Sequence, residues 1–311
     1  MTLRIATYNL KDFFSARTPG EAGIVEAKIA NVASELRRAR ADVVALQEVG
    51  SDELVNRLVT RELADQNYGA PVMGTRDKRG IGCAILSRLP VLWSQVHTRS
   101  YLPFPKFCEG DPEPFADRIP LRRGVVHVRV ESPKLGEIDV ITAHFKSGRG
   151  VPLKTQDGQE IHGTVNESPR GCMEALLRSF VQRSAEAIFV RSIVDDIFGA
   201  FADHGICVLG DLNDRADSMP VRIVRGTSGR GALESEHLRA CGTLVPDDER
   251  FSCFHEGLPI LIDHVLVSER LFRFVRSFHI QNEKLRYHGS YLNDAPLTSD
   301  SDHALCVAEF G

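Results

Sequence analysis

Ile206-Cys207-Val208-Leu209-Gly210-Asp211-Leu212-Asn213-Asp214 joins a four-residue apolar run to a glycine and an Asp-x-Asn turn. An uninterrupted apolar run this short reads as a strand buried on both faces. The residues after it supply turn chemistry, because glycine tolerates positive φ and Asp and Asn side chains bond the backbone two residues on. Taken alone, Asp211 is a turn aspartate.

The same pattern recurs along the chain. Ile5-Ala6-Thr7-Tyr8 runs into Asn9, and Val43-Val44-Ala45-Leu46 runs into Gln47-Glu48. An apolar stretch at 138–143 ends in His144, and another at 259–262 reaches Asp263-His264 inside a strand predicted over 260–267. The final strand, predicted over 304–310, follows Ser301-Asp302-His303. Any one of these is a cap, a turn residue or a satisfied buried polar group. Together, in this order, they place ionisable groups at strand ends, which converge on one rim of a sheet where open-sheet enzymes gather their chemistry. His264 alternates to the opposite face from Asp263 and reads as structural.

Between these strands the periodicity changes. Val25, Ile29, Val32 and Leu36 recur at helical spacing and predict a helix over 24–40. Ser51 can cap a second helix carrying Leu54, Val55, Leu58, Val59 and Leu63. A long helix is predicted over 172–201, and further strands near 70–74, 82–87, 91–98, 124–130, 137–144, 251–254 and 272–278. Residues 101–120 hold five prolines with Phe104, Phe107 and Phe115, which makes them a long loop rather than a linker. Residues 145–171 form a second long loop rich in glycine and polar groups. With no internal repeat, low-complexity tract or shift in composition, the expectation is one domain over 1–311 in which two packed sheets are flanked by helices.

The 311 residues carry 38 Lys and Arg against 42 Asp and Glu, a formal charge of −4. That excludes a polycation wrapping nucleic acid by bulk charge but permits a local basic patch. Seven scattered cysteines without Cys-x-x-Cys spacing read as reduced thiols and point to a cytoplasmic chain. No stretch approaches the roughly 18 apolar residues of a membrane span, and no amphipathic anchor is evident.

The set Thr7-Tyr8-Asn9-Leu10, Leu46-Gln47-Glu48, Thr142-Ala143-His144-Phe145, Leu209-Gly210-Asp211-Leu212-Asn213-Asp214, Ile262-Asp263-His264-Val265 and Ser301-Asp302-His303 resembles the endonuclease/exonuclease/phosphatase superfamily. That superfamily includes pancreatic deoxyribonuclease, abasic-site repair endonucleases, neutral sphingomyelinases and inositol-polyphosphate 5-phosphatases. The resemblance implies a four-layer α/β sandwich, phosphoester hydrolysis dependent on Mg²⁺ or Mn²⁺, and a site at one rim of two packed sheets. It also implies roles. Glu48 is the main metal ligand, with Asn9 and Asp302 beside it; their hard oxygens suit Mg²⁺ or Mn²⁺. His303 does acid/base work with Asp263 fixing its tautomer, Asp211 activates the water, and Asn213 donates to the phosphoryl oxygens. His144 matches the deoxyribonuclease, sphingomyelinase and 5-phosphatase branches, where abasic-site endonucleases carry tyrosine. Lys11 replaces an acidic residue of those repair enzymes. Both features point away from abasic-site repair.

Basic residues cluster in the loops: Arg76, Lys78 and Arg79; Arg118, Arg122 and Arg123; and Lys146 and Arg149 after His144. Surface Lys and Arg are commonplace, but Lys146 and Arg149 lie close enough to His144 to bind a substrate phosphate. The expected partner is therefore nucleic acid. The alternatives are a soluble inositol, nucleotide or lipid-derived phosphate ester, and a non-catalytic module keeping the fold. No protein partner is indicated, and no His-Glu-x-x-His run or Cys/His cluster supports a zinc hydrolase.

Overall fold

The computed structural model describes residues 2–155, 157, 159–161, 168–226, 236–287 and 297–311, so part of the predicted 145–171 loop lies outside the described residues. Two six-stranded mixed sheets face each other. The first contains β1 (Leu3–Phe13), β2 (Val43–Val49), β3 (Val72–Met73), β4 (Gly82–Ser87), β13 (Val275–Ile280) and β14 (Cys306–Phe310), in the order β13-β14-β1-β2-β4-β3. The second contains β5 (Val91–His97), β6 (Val125–Ser132), β7 (Gly136–Thr142), β8 (Gly205–Asp211), β9 (Leu238–Ala240) and β12 (Asp263–Ser268), in the order β5-β6-β7-β8-β12-β9. A hairpin of β10 (Cys253–His255) and β11 (Leu258–Ile260) stands apart from both sheets. Each sheet has one parallel pair at its centre, β1 with β2 and β7 with β8.

Alternation along each strand sorts the chain into layers. Ile5, Val43 and Ala45 face Val140, Cys207, Leu209 and Val265 across the inter-sheet core. Their neighbours Ala6, Tyr8, Val44 and Leu46 turn outward and pack on α1 (Ala22–Ala39) and α2 (Asp52–Arg57). On the other side Ile206, Val208 and Leu266 pack on α3 (Pro169–Ala200) and α4 (Met219–Arg225). Helix, sheet, sheet, helix is the four-layer α/β sandwich expected. Each fully buried Val, Leu or Ile contributes roughly 1.5–3 kcal/mol, so the inter-sheet core holds the two sheets in register.

The polar residues at the strand ends obey the same alternation. Thr7 and Asn9 have the parity of Ile5, Gln47 that of Ala45, Asp211 that of Leu209, and Asp263 that of Val265. The inter-sheet layer therefore changes from apolar to polar along the strands. At the boundary the Thr7 hydroxyl donates to Gln47 Oε1 and Gln47 Nε2 donates to Thr142 Oγ1, each over 3.1 Å, which ties the sheets together.

Several predicted bounds shift. The 260–267 strand is two elements, because β11 pairs with β10 and ends at Ile260, whereas the chain from Asp263 pairs with β8; Glu256 and Gly257, with positive φ (50° and 79°), form the two-residue turn joining β10 to β11. Asp263 consequently opens β12 rather than lying inside a strand. The predicted 272–278 strand begins as a short helix, α5 (Glu269–Phe272), before β13. The long helix starts earlier than 172, since the Ser168 hydroxyl accepts from Gly171 N–H at 3.0 Å and Pro169 occupies the first turn. β9 and α4 carry too few apolar residues in period to be read from sequence.

Candidate active site

In the antiparallel pairing of β8 with β12, Asp211 lies directly opposite Asp263. Both side chains point into the inter-sheet layer, and both residues are buried. Two carboxylates so placed repel each other unless a proton or cation lies between them. His303, in the lead-in to β14, fills that role. Its Nδ1 is 2.7 Å from Asp263 Oδ2, and its Nε2 faces Asp211 Oδ2 at 4.0 Å. Burial would drive the imidazole toward neutrality, but the charge and hydrogen bond of Asp263, joined by Asp211 and Asp302, hold its pKa well above the usual histidine value.

Asp211 is the hub. Its Oδ2 accepts from Asn9 Nδ2 (2.9 Å), and its Oδ1 accepts from Asn213 N–H (2.9 Å). His144 Nε2 approaches the same Oδ2 at 3.4 Å. Burial first, then the Asp263 charge, lift the Asp211 carboxyl well above the ordinary aspartate range. His144 shifts the other way: burial and the nearby Arg123, His303 and Arg79 charges keep its ring neutral. Asn213 takes φ of 52° and donates its side-chain N–H to Phe145 O at 3.0 Å. Gly210, at φ of 140°, passes so close to Ala143 that an added Cβ would lie 2.0 Å from its carbonyl oxygen. The glycine thus brings the end of β8 against the segment carrying His144.

On the facing sheet, β1 and β2 lose register between Asn9 and Phe13. This bulge re-aims side chains, as bulges beside functional sites commonly do. Within it Lys11, Asp12 and Glu48 all take positive φ, at 49°, 48° and 58°. Such backbone costs of order 1–3 kcal/mol per residue and persists only where surroundings enforce it. Glu48 Oε2 accepts the Asp12 N–H at 2.9 Å, and no described residue forms an ion pair with Glu48. Lys11 Nζ bonds Asp302 Oδ2 at 2.9 Å, and Lys11 N–H bonds Asn9 Oδ1 at the same distance. Ser301 donates to Asn9 O at 2.6 Å, fixing the Asp302-His303 segment against β1.

One cavity of about 460 Å³ is lined by Glu48, His144, Asp211, Asn213, Asp302 and His303 together with Arg149. Of the ten sequence-predicted site residues, these seven open onto the cleft. Asp263 and Asn9 stand behind it, each bonded to a lining residue. Lys146 faces away: its Nζ donates to Ser147 O and Oγ and to Arg149 O. His264, read as structural, is buried and donates from Nε2 to the Asp214 carbonyl, 2.8 Å away.

Sequence reasoning passed over Ser252, whose hydroxyl donates to Asp263 Oδ2 at 2.6 Å and accepts from Asp263 N–H. It also passed over Gln47 as the inter-sheet tie, and it read Arg123 only as one of the loop cations, whereas its guanidinium bonds Asp77 (3.0 Å) and the His144 carbonyl (3.1 Å). Gln47 carried a signal, its parity with Ala45; Ser252 carried none.

Two groups of side chains suit a cation. Glu48 and Asp302 offer hard carboxylate oxygens at the cleft wall, while Lys11 engages Asp302 Oδ2 and the Asn9 amide oxygen. Asp211, Asp263 and His303 also bring ligand atoms within 4.8 Å of one another, and Asp263 Oδ1 is a buried atom without a partner.

The Endonuclease/Exonuclease/phosphatase family profile matches residues 6–303. The chain belongs to that family. Its members are divalent-metal-dependent phosphoesterases that act on nucleic acids or phosphate groups. Comparison with curated protein sequences finds no match. Among solved structures, this family member resembles the endonuclease/exonuclease/phosphatase from Beutenbergia cavernae (TM-score 0.61, 19% identity, 99% of this chain and 71% of that one). It also resembles the human Nocturnin catalytic domain with bound sulfate (0.61, 16%, 100% and 93%). A third is the 3' phosphatase NExo from Neisseria bound to a product DNA hairpin (0.58, 18%, 99% of both chains). At these identities the likeness is one of fold.

Proposed function

We propose that this family member is a Mg²⁺- or Mn²⁺-dependent phosphodiesterase acting on nucleic acid. The observation that carries the reading is the meeting of Glu48, Asp211 and an Asp263-held His303 around one cleft, drawn from three distant parts of the chain. Phosphoryl transfer needs charge neutralised on the phosphoryl oxygens, a water made nucleophilic and a leaving alkoxide stabilised.

Glu48, Asp302 and Asn9 would hold the cation, which when bound offsets phosphoryl charge. The Asp211–Asp263–His303 cluster is better read as the proton-handling unit, because Asp263 Oδ2 is already engaged by Ser252 and His303. His303 keeps its proton on Nδ1 toward Asp263 and presents Nε2 to the cleft, where it can give or take a proton. Asp211, whose carboxyl burial and Asp263 push up while the His303 charge draws it back down, accepts from Asn9 and Asn213 and orients the attacking water. The neutral His144 steadies Asp211, and the second hydrogen of the Asn213 amide is available to a phosphoryl oxygen. Arg149 adds positive charge at the cleft wall.

A phosphomonoester reading is favoured by one comparison, the Neisseria 3' phosphatase bound to a product DNA hairpin. A panel of plasmid DNA, single-stranded DNA, RNA, bis(p-nitrophenyl) phosphate and inositol phosphates, with Mg²⁺ or Mn²⁺ and with Glu48→Gln as the blank, tests both. Nicking of plasmid supports the diesterase. Release of inorganic phosphate alone supports the monoesterase. Silence throughout points to a non-catalytic module.

A further inference from the structure

Lys11 stands between the catalytic cleft and a side cavity of about 500 Å³, and Asp302 lines both spaces with it. The side cavity is walled by the start of α1, at Gly23, Ile24 and Ala27, and by residues 297–302. Lys11 belongs to the bulge between β1 and β2, where its φ of 49° takes the chain out of strand alternation. Its Nζ lies 2.9 Å from Asp302 Oδ2, and its N–H donates to Asn9 Oδ1 at 2.9 Å. The Lys11 side chain is 14% exposed, so this ion pair is better shielded than a surface one.

Three carboxylates line the cleft around the bulge, and they are not alike. Lys11 engages Asp302, and Arg79 engages Asp12 at 2.8 Å. Glu48 accepts the Asp12 N–H, and among the described residues no cation pairs with it. A divalent cation drawn to Glu48 therefore meets a resident ammonium on Asp302, the other carboxylate proposed to hold it. Two cations in contact with one carboxylate oxygen repel each other, so one must yield.

The segment that carries Asp302 is pinned from two sides. Ser301 donates to Asn9 O at 2.6 Å, and the buried Lys28 of α1 donates to Thr298 O at 3.0 Å. The lysine ammonium, by contrast, rides on a flexible four-carbon stem. The side cavity gives that stem room, and in its wall Asp300 presents a carboxylate that accepts from neutral donors, Asn31 Nδ2 at 2.7 Å and Ser299 Oγ at 3.2 Å.

We infer that Lys11 is a built-in competitor for the metal: its ammonium and a divalent cation exclude one another at Asp302, so uptake of the cation requires Lys11 to withdraw toward the side cavity. The inference rests on the metal-dependent reading and adds to it a residue that sets metal affinity without being a ligand. The apparent affinity is reduced by the fraction of molecules in which Lys11 has released the acid.

Mn²⁺ binding to the full chain without substrate, followed through the electron paramagnetic resonance signal of the free ion, tests this. Lys11→Met is expected to tighten Mn²⁺ about tenfold, as removal of one charge-assisted contact allows. Lys11→Asn, whose side chain suits the left-handed backbone at this position, serves if the Met variant does not fold. In an Asp302→Asn background the same change at Lys11 is expected to leave affinity within about twofold, because the contested carboxylate is gone. Tightening that persists in that background assigns Lys11 a general charge effect and overturns the proposal. Affinity unchanged or weakened by Lys11→Met overturns it too, while leaving the metal-dependent reading intact. Absence of Mn²⁺ binding in the native chain and both Lys11 variants, or binding undiminished by Glu48→Gln, sinks that reading and the proposal with it.

Discussion

At the scale of single residues, the 2.7 Å contact joins His303 and Asp263, which the proposed mechanism uses as one unit. His303→Ala is expected to cost about 10²–10⁴ in kcat, the range for a positioned acid/base group. Adding Asp263→Ala should cost little more, because members of one unit are non-additive. Multiplied losses in kcat/KM would separate the two residues. Glu48→Gln is expected to raise the Mg²⁺ concentration for half-maximal activity while leaving the fold intact by circular dichroism. An unchanged metal titration, with His303→Ala or Asp263→Asn shifting it instead, would move the cation to the Asp211–Asp263–His303 cluster. These residues were legible in the sequence because period-two alternation puts a strand's last polar side chain on the face of its apolar predecessors. Ser252 was illegible because its bond to Asp263 joins residues brought together by the turn at Glu256-Gly257, which no periodicity marks.

At the scale of elements, the site depends on backbone that departs from regular strands. Gly210→Ala would drive a methyl into the Ala143 carbonyl and displace β8 from the His144 segment. Overpacking of this kind costs typically 1–3 kcal/mol, and the shift of Asp211 should lower kcat more than a stability loss of that size explains. Urea unfolding together with kcat on the purified variant reads both. A second buried cluster sits on the helix-facing side of the second sheet, where Asp139 accepts from His127 Nε2 at 2.8 Å and from Arg129, with His204 Nε2 2.7 Å away. Burial alone would raise the Asp139 pKa, but these donors outweigh it and hold the carboxyl far below its usual value. A depressed carboxylate contributes stability that is present above the unfolded-state pKa and is lost as pH falls through the folded one. Asp139→Asn should therefore destabilise the chain by about 3–5 kcal/mol at pH 7, as loss of one partner from a buried ion pair does, and flatten its loss of stability in acid. A melting curve measured from pH 7 down to pH 3 checks it. The sequence reads β7 and β6 as strands but not this network, since His127, Asp139 and His204 belong to three separate segments.

At the scale of the whole molecule, a cavity of about 590 Å³ beside the cleft, walled by residues 76–79, 120–123 and the segment after His144, sets a pH dependence of its own. Burial, and after it the charges of Arg122 and Arg183, push Lys146 in its wall down to about 7 in the folded chain, so the unfolded chain holds that proton more tightly. Stability attributable to Lys146 therefore grows as pH rises from about 7 toward the ordinary lysine pKa of 10.5. Lys146→Met should remove that rise, and melting temperatures at pH 7 and pH 9.5 in a phosphate-free buffer would reveal it. The four-layer architecture was legible from the alternation of buried strand runs with long amphipathic helices. The cleft and this neighbouring cavity were not, because residues 76–79, 120–123 and 146–154 are neighbours in space through loops whose paths follow no period.

The residues proposed to do the chemistry are divided between the two sheets. Asn9, Glu48, Asp302 and His303 ride on the first, and His144, Asp211, Asn213 and Asp263 on the second. Gln47, bonded to Thr7 on its own sheet and to Thr142 across the gap, is the clasp between the halves. Competence is thus a property of the closed sandwich. Any slippage of one half past the other, whether by heat or a wedge driven at the Gln47 clasp, disarms the enzyme while each half keeps its strands.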